Sequence, residues 1–349
     1  MGLTPRRLIV PVLLLIVLAV LPFIAVDIPV LFGGPLDSPG TLQLLALCLV
    51  FAGVALSYDL LFGFTGLLSF GHALYFALGV YLPAIALTEW EWSLPAALAL
   101  LAVTAIALPL VLGAVSLRVT GIAFAMVTLA FAQAGNVVVQ TNPGGLTGGD
   151  EGLIFNFDPL PDFLVGIVHT RNLYWLALGY AVTVFLIARA AIGSSAGHVW
   201  RAIRENERRV EVIGLRPYPY KLLAFVLASF LAAWGGFIWL LLIGATPEVT
   251  TATFTLTLLV MVVLGGAGTR FGALVGGFLY TLLDNRLRNL AGEERIQDLP
   301  DVLRVPLSEP LFLLGALFVA IVFFAPGGVS SFPARLRSLA YRRAAKEST

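Results

Sequence analysis

The chain has 349 residues, of which 59% are hydrophobic by a count that leaves out glycine and 12% are charged, for a net charge of +1. Soluble domains carry about 45–50% apolar residues with glycine included and about a quarter charged ones, so this chain cannot clothe a water-facing surface of its size. Lipid must cover much of it, and the near-neutral charge gives no reason to expect a nucleic-acid partner.

A membrane-spanning chain satisfies its backbone polar groups as helices or as a closed barrel, and barrel strands alternate apolar and polar residues over about ten positions. That alternation is absent. Apolar runs near the roughly 20 residues that cross about 30 Å of hydrocarbon predict an all-α polytopic membrane protein. Its ten spans lie at 8–26, 41–62, 66–87, 93–115, 119–139, 173–190, 221–244, 254–267, 271–288 and 310–326. Arg6 and Arg7 precede the first, and with no clear small-x-small cleavage site after it an uncleaved span is expected. Cys48 is alone, which leaves neither a disulfide nor a cysteine metal cluster to consider.

An even span number puts both termini on one side. Of the 21 Lys+Arg, only Arg171, Arg286, Arg288, Arg295 and Arg304 then fall on the other side, the last four among Asp284, Glu293, Glu294, Asp298, Asp301 and Glu309. By the positive-inside rule the termini are expected in the cytoplasm. The organisation expected is one transmembrane domain over 1–330 with a basic tail over 331–349, an external loop over 140–172 and a cytoplasmic segment over 191–220.

Three segments are unsuited to simple rods. Gly63-Phe64-Thr65-Gly66-Leu67-Leu68-Ser69-Phe70-Gly71-His72 follows the second span, and Leu264-Gly265-Gly266-Ala267-Gly268-Thr269-Arg270-Phe271-Gly272, with Gly276-Gly277, joins the eighth to the ninth. Each glycine costs about 1 kcal/mol relative to alanine inside a helix. These glycines either pack helices closely or break them so that polar backbone ends face a solute path. Outside the spans, Thr141 to Leu153 is rich in glycine with the acidic pair Asp150-Glu151, a turn-rich loop that serves as docking surface, gate element or linker.

Between spans six and seven, Trp200, Ile203, Val210 and Ile213 form a helical stripe among arginines and glutamates, with Gly214 placed as the stop. Such a helix lies on anionic lipid or fits a groove on another protein. A Walker A loop needs a lysine after its glycines, and the only lysines, Lys221 and Lys346, follow Tyr220 and Ala345. ATP, if it powers this chain, is hydrolysed by another polypeptide.

Among single residues, His72 is the one histidine inside a predicted span, suited to a functional role or to a hydrogen bond that locks the break. Asp59 and Asp284 lie near span ends, where an aspartate reaches water. Gln133, Asn136 and Gln140 recur along one face of the fifth span and either line a polar path or join helices. No H-E-x-x-H or similar metal-ligand spacing occurs.

Gly66-Leu67-Leu68-Ser69-Phe70-Gly71-His72 with Phe76-Ala77-Leu78-Gly79-Val80-Tyr81 resembles the G-x-L-S-x-G-H-x-x-F-x-x-G-x-Y stretch of branched-chain amino-acid ABC transporter permeases, LivM-like ones above all. Arg201-Ala202-Ile203-Arg204-Glu205-Asn206-Glu207 with Gly214 and Tyr220 to Phe225 is similar to that family's coupling segment. Met261 to Gly266 with Gly268 and Gly272, and Thr147-Gly148-Gly149 with Gly152-Leu153, are similar to its glycine-rich stretch and external loop. The blocks keep the family's order from about residue 57 to 285; beyond 289 no motif matches. The resemblance implies a non-catalytic permease subunit of the inner membrane, working with a second homologous permease, two cytoplasmic ATPases that bind ATP and Mg, and a periplasmic or lipid-anchored binding protein. It implies ATPase coupling through Arg201, Ile203, Arg204, Glu205, Asn206, Val210, Glu211 and Gly214, with Ile203 and Val210 seated in the partner's groove. It offers Gly66, Ser69, Gly71, His72, Gln133, Asn136, Gly265 and Gly266 as residues of the translocation path or gate. A small zwitterion such as leucine, isoleucine or valine is the expected solute. Urea or short amides are the alternative within the same class. A carrier or channel acting alone would need buried charge relays, and the spans offer few.

Overall fold

The computed structural model describes residues 15–24, 26, 32, 34–166, 169–269, 271–291, 309–324 and 327–329. The segment 8–14 of the expected first span, the stretch 292–308 and the basic tail 331–349 lie outside these. Among the described residues the chain is helical and forms no sheet, though Leu153 and Ala245 make an isolated bridge.

Ser38 opens α1 (Pro39–Asp59) by accepting from the backbone N–H of Thr41, with proline at the first helical position, where its missing N–H costs nothing. A wider π turn, Leu60–Thr65, continues α1 to Gly66. After a six-residue non-helical stretch come α2 (His72–Thr88), α3 (Leu94–Ser116), α4 (Ile122–Thr141), α5 (Thr170–Gly193), α6 (Ser195–Val212), α7 (Pro217–Leu242), α8 (Ala252–Gly265), α9 (Gly272–Ala291) and α10 (Pro310–Phe324). Five of these helices are long and apolar enough to cross a membrane (α1 with its π turn, α3, α4, α5 and α7), while α2 and α8 are apolar but shorter. The chain is an all-α polytopic membrane protein.

α1 and α7 form the centre: 83% of the best spanning window of α1 is buried, against 22% for α3. α1 packs on α5, α7, α8 and α9, and α7 also holds α2 and α3. Helices approach this closely where side chains are absent. A Cβ on Gly79 of α2 would meet the backbone of Ala233, and one on Gly236 of α7 would meet the carbonyl of Phe76. Beside this crossing, Phe51, Phe76, Trp239 and Phe254 stack, tilt together or meet edge-on, tying α1, α2, α7 and α8 together.

The two ends of the bundle differ in charge. α6, the turn after it and the start of α7 carry Arg201, Arg204, Arg208, Arg209, Arg216 and Lys221, and Glu89, Glu91, Asp150, Glu151, Asp158 and Asp162 occupy turns and loops at the far end. One side of α3 carries Val103, Ile106, Leu110, Val111 and Val115, all exposed, an apolar surface suited to lipid.

Candidate functional site

α2 begins well inside the bundle. His72 is paired with Ser57, eight residues before the end of the π turn, about 12 Å of helix rise from that end. The break opens at Gly66, whose φ of 78° is left-handed and disfavours a side chain. Orphan N–H groups at a helix start need partners, and in hydrocarbon water cannot supply them. Here neighbouring hydroxyls do. Phe70 N–H donates to Thr128 Oγ1 of α4 at 3.1 Å, Gly71 N–H to Ser69 Oγ at 3.2 Å, and Ala73 N–H to Thr255 Oγ1 of α8 at 3.0 Å. Tyr58 Oη adds a bond to the Ser69 carbonyl at 3.0 Å.

His72 is fully buried. Ser57 Oγ donates to the Val54 carbonyl at 2.7 Å, so in its 3.0 Å contact with His72 Nε2 the serine accepts and the imidazole donates. Tyr58 packs edge-on against the ring. This arrangement suits a lock on the break, and it makes an outcome measurable. His72→Gln, which keeps an N–H donor, should leave thermal stability in detergent near that of the parent, and His72→Leu should cost about 1 kcal/mol. A loss in His72→Gln as large as in His72→Leu would show that the donor does not lock the break.

The second break follows α8. Gly266 and Gly268 have φ of 109° and 72°, whereas Gly265 and Gly276 are there for closeness: a Cβ on either would strike backbone across the α8–α9 hairpin. Gly277 likewise lies on the backbone of Phe51 in α1. Small-residue packing therefore explains Gly265, Gly276 and Gly277, and backbone conformation explains Gly66, Gly266 and Gly268. The breaks meet at the arginine-rich end. Asp59, expected near water, is fully buried there, and its Oδ1 accepts from Gly268 N–H at 2.9 Å. Burial follows because α1 continues for another six residues beyond Asp59 as the π turn.

α6 arrives at the same place, and it is two pieces. Asn206 adopts φ −163° and ψ 103°, and its Oδ1 accepts from Arg209 N–H at 3.1 Å, capping a second short piece as a helix N-cap does. The first piece is tied to the bundle by three bonds: Trp200 Nε1 to the Tyr220 carbonyl, Arg201 to the Ile192 carbonyl, and Arg204 Nη1 to the Gly63 carbonyl. The second is tied by the ion pair of Glu207 with Lys221. Trp200, Ile203 and Val210 are buried in the chain itself, so Ile203 and Val210 do not present the partner-facing stripe expected of them. Val212 and Ile213, past Asn206, are 81% and 72% exposed beside Glu211 and Gly214.

On α4, Gln133 and Gln140 are exposed with Ala123, Met126, Ala130 and Val137 along one side. Asn136 turns inward, its Oδ1 accepting from Thr250 in the turn before α8. An unpaired amide facing hydrocarbon costs roughly 2–7 kcal/mol, so Gln133 and Gln140 make this side of α4 less suited to lipid than the all-apolar side of α3. The glycine-rich loop after α4 is pinned. Asn142 Oδ1 accepts from Thr147 N–H, Gly148 N–H and Thr147 Oγ1, and Leu153 N–H donates to the Ala245 carbonyl at 3.1 Å.

The family described as the permease component of branched-chain amino acid transport systems has a sequence pattern that matches residues 40–322, from the start of α1 nearly to the end of α10. The chain belongs to that family. The high-affinity branched-chain amino acid transport system permease proteins LivM of Escherichia coli (strain K12) and of Salmonella typhimurium (strain LT2) are each 24% identical to it over 318 residues, 84% of this chain and 70% of theirs. No solved structure matches it.

In this permease, Gly66, Ser69, Gly71 and His72 share one break, and Gly265 and Gly266 belong to the other. Gln133 and Asn136 stand apart on α4. The residues that sequence reasoning missed are Thr128 and Thr255, hydroxyls in apolar helices whose register gave no sign that they cap a third helix. Asp59 was visible as a charge inside a span, but its partner Gly268 is 209 residues away. Among the described residues no group of three His, Cys, Asp or Glu is placed to hold a metal.

Proposed function

We propose that the permease is the membrane-spanning subunit of an ATP-driven importer of a branched-chain or related small zwitterionic amino acid. ATP is hydrolysed by two separate cytoplasmic subunits, a second homologous permease completes the path, and an external binding protein delivers the solute. The observation that carries this reading is the end of α6. Val212 and Ile213 stand in the open between Arg208, Arg209 and Arg216 on a segment clamped to the bundle, in a chain where no lysine closes a phosphate loop. Clamped on one side and bare on the other, α6 suits the transfer of a partner's motion. The arginine-rich end is then cytoplasmic, in the inner membrane, with both termini on that side. Reporter fusions at Thr349 and within 144–168 test the orientation.

Purification of the tagged permease from its native membrane should bring down two polypeptides with phosphate loops and a second permease. Proteoliposomes holding that assembly and the binding protein should take up leucine only with ATP inside. Uptake by this chain alone, driven by an ion gradient, would overturn the reading.

The path is assigned to the Gln133 and Gln140 side of α4, faced by the second permease. Gln133→Leu and Gln140→Leu should then lower uptake about tenfold at unchanged membrane abundance, a loss of about 1.4 kcal/mol. Uptake at the parent level in both variants would instead mark this side as lipid-facing.

A further inference from the structure

We propose that Arg204 is the positioning residue through which movement of α6 reaches both glycine-rich breaks at once. The inference rests on the ATP-driven reading above and assigns the transmitting contact within this chain.

Arg204 leaves α6 toward the bundle. Its Nη1 donates to the carbonyl of Gly63, in the last turn of α1, where carbonyls have no helical partner and a basic side chain is favoured. Its main chain and Cγ crowd Gly66, where an added Cβ would stand 3.1 Å from Cγ and 3.3 Å from Cα. Its guanidinium also lies against Gly268 of the second break, and a Cβ there would strike Nη1 and the Gly63 carbonyl together. Gly268 in turn donates its N–H to Asp59 of α1. One side chain thus touches the end of α1, the start of the break before α2 and the turn between α8 and α9. Two glycines, Gly66 and Gly268, leave the room for it, both at positive φ.

The consequence is mechanical. α6 holds three bonds to the bundle from its first piece, and two of them, from Trp200 and Arg201, end on residues of the helices next to α6 in the chain. Of these three, the Arg204 bond crosses to α1, 141 residues away. A pull on α6 therefore moves α5 and α7 by covalent connection and the Trp200 and Arg201 bonds, and moves α1 and the α8–α9 turn through Arg204. Without the guanidinium, α6 still docks, since Trp200, Ile203 and Val210 remain buried and Glu207 still pairs with Lys221.

The test uses the complete assembly in proteoliposomes and reads ATP hydrolysed per solute taken up. A merely structural arginine would lower both quantities together and leave their ratio alone. Arg204→Gln should keep the ATPases bound and hydrolysis near the parent rate while uptake falls, raising the ratio about tenfold. Arg204→Lys, which keeps the charge and a donor, should recover part of the loss. Gly268→Ala, whose new methyl occupies the guanidinium's place, should raise the ratio from the other side of the contact. An unchanged ratio in Arg204→Gln and Gly268→Ala would overturn the proposal, as would loss of the assembly from the membrane in both arginine variants, because Arg204 would then be a folding contact. If the parent assembly itself shows no ATP-driven uptake, the failure is that of the importer reading.

Discussion

Replacing Val212 and Ile213 together with aspartate is expected to strip the ATPases from the complex and abolish ATP-driven uptake, while the permease itself stays folded in the membrane. Both side chains are largely exposed, so the bundle loses little by their removal. Burying each in a partner is worth about 1.5–3 kcal/mol, together about two to four decades in the dissociation constant, and an unpaired carboxylate in the same groove adds a desolvation cost. Glu205→Lys and Glu211→Lys, exposed on the same helix, should weaken the same association by less. Co-purification of the ATPases, with membrane abundance as control, measures this. If the two residues instead dip into the bilayer with Arg208 and Arg209 at the headgroups, the aspartates would loosen α6 from lipid and leave the ATPases bound. Retention of a full ATPase complement would therefore remove α6 from the interface. The same variants at Ile203 and Val210 would be uninformative, because those side chains are buried in this chain and their loss would unfold the clamp.

The second large effect is expected at the crossing of α2 and α7. Gly79→Val and Gly236→Val should each remove the permease from the membrane fraction. An added Cβ at either position meets backbone, the Ala233 carbonyl in one case and the Phe76 carbonyl in the other, and backbone cannot rotate aside as a side chain can. Overpacking in cores that can adjust costs about 1–3 kcal/mol. With two helix backbones in contact and α7 at the centre of the bundle, the cost should exceed that range. Gly179 of α5 is the control. It is exposed, nothing lies within 4 Å of its missing Cβ, and it sits mid-helix. Gly179→Ala should therefore raise stability by up to about 1 kcal/mol through helix propensity alone. Thermal unfolding in detergent and membrane abundance read both changes, and equal behaviour of Gly79→Val and Gly179→Ala would show that the crossing is looser than its geometry.

Much of the fold was legible in composition and length. Apolar runs of about twenty residues force helices in hydrocarbon whatever their order, and nine of the ten predicted spans lie over or against α1–α5 and α7–α10. The first span meets the described chain only at 15–24 and 26, where the Leu18 carbonyl accepts from Tyr174. The glycine-rich segments were legible as breaks, since glycine in a propagating helix is unfavourable wherever it occurs. The amphipathic stripe of α6 was legible as a stripe, but its partner was not. Periodicity reports that Trp200, Ile203 and Val210 need an apolar neighbour, and it carries no information on whether that neighbour lies in the same chain.

The sequence by itself determined that this protein is a helical membrane bundle and where its helices are interrupted, because these depend on residue type and local spacing. Only the tertiary structure decided that Thr128 and Thr255 cap the start of α2, that Asp59 reaches Gly268, and that Arg204 reaches Gly63. Each of those outcomes joins residues dozens to hundreds of positions apart. In a low-dielectric interior a polar group is settled by whichever donor or acceptor the packing of whole helices brings within about 3 Å, and that distance is written in no local pattern.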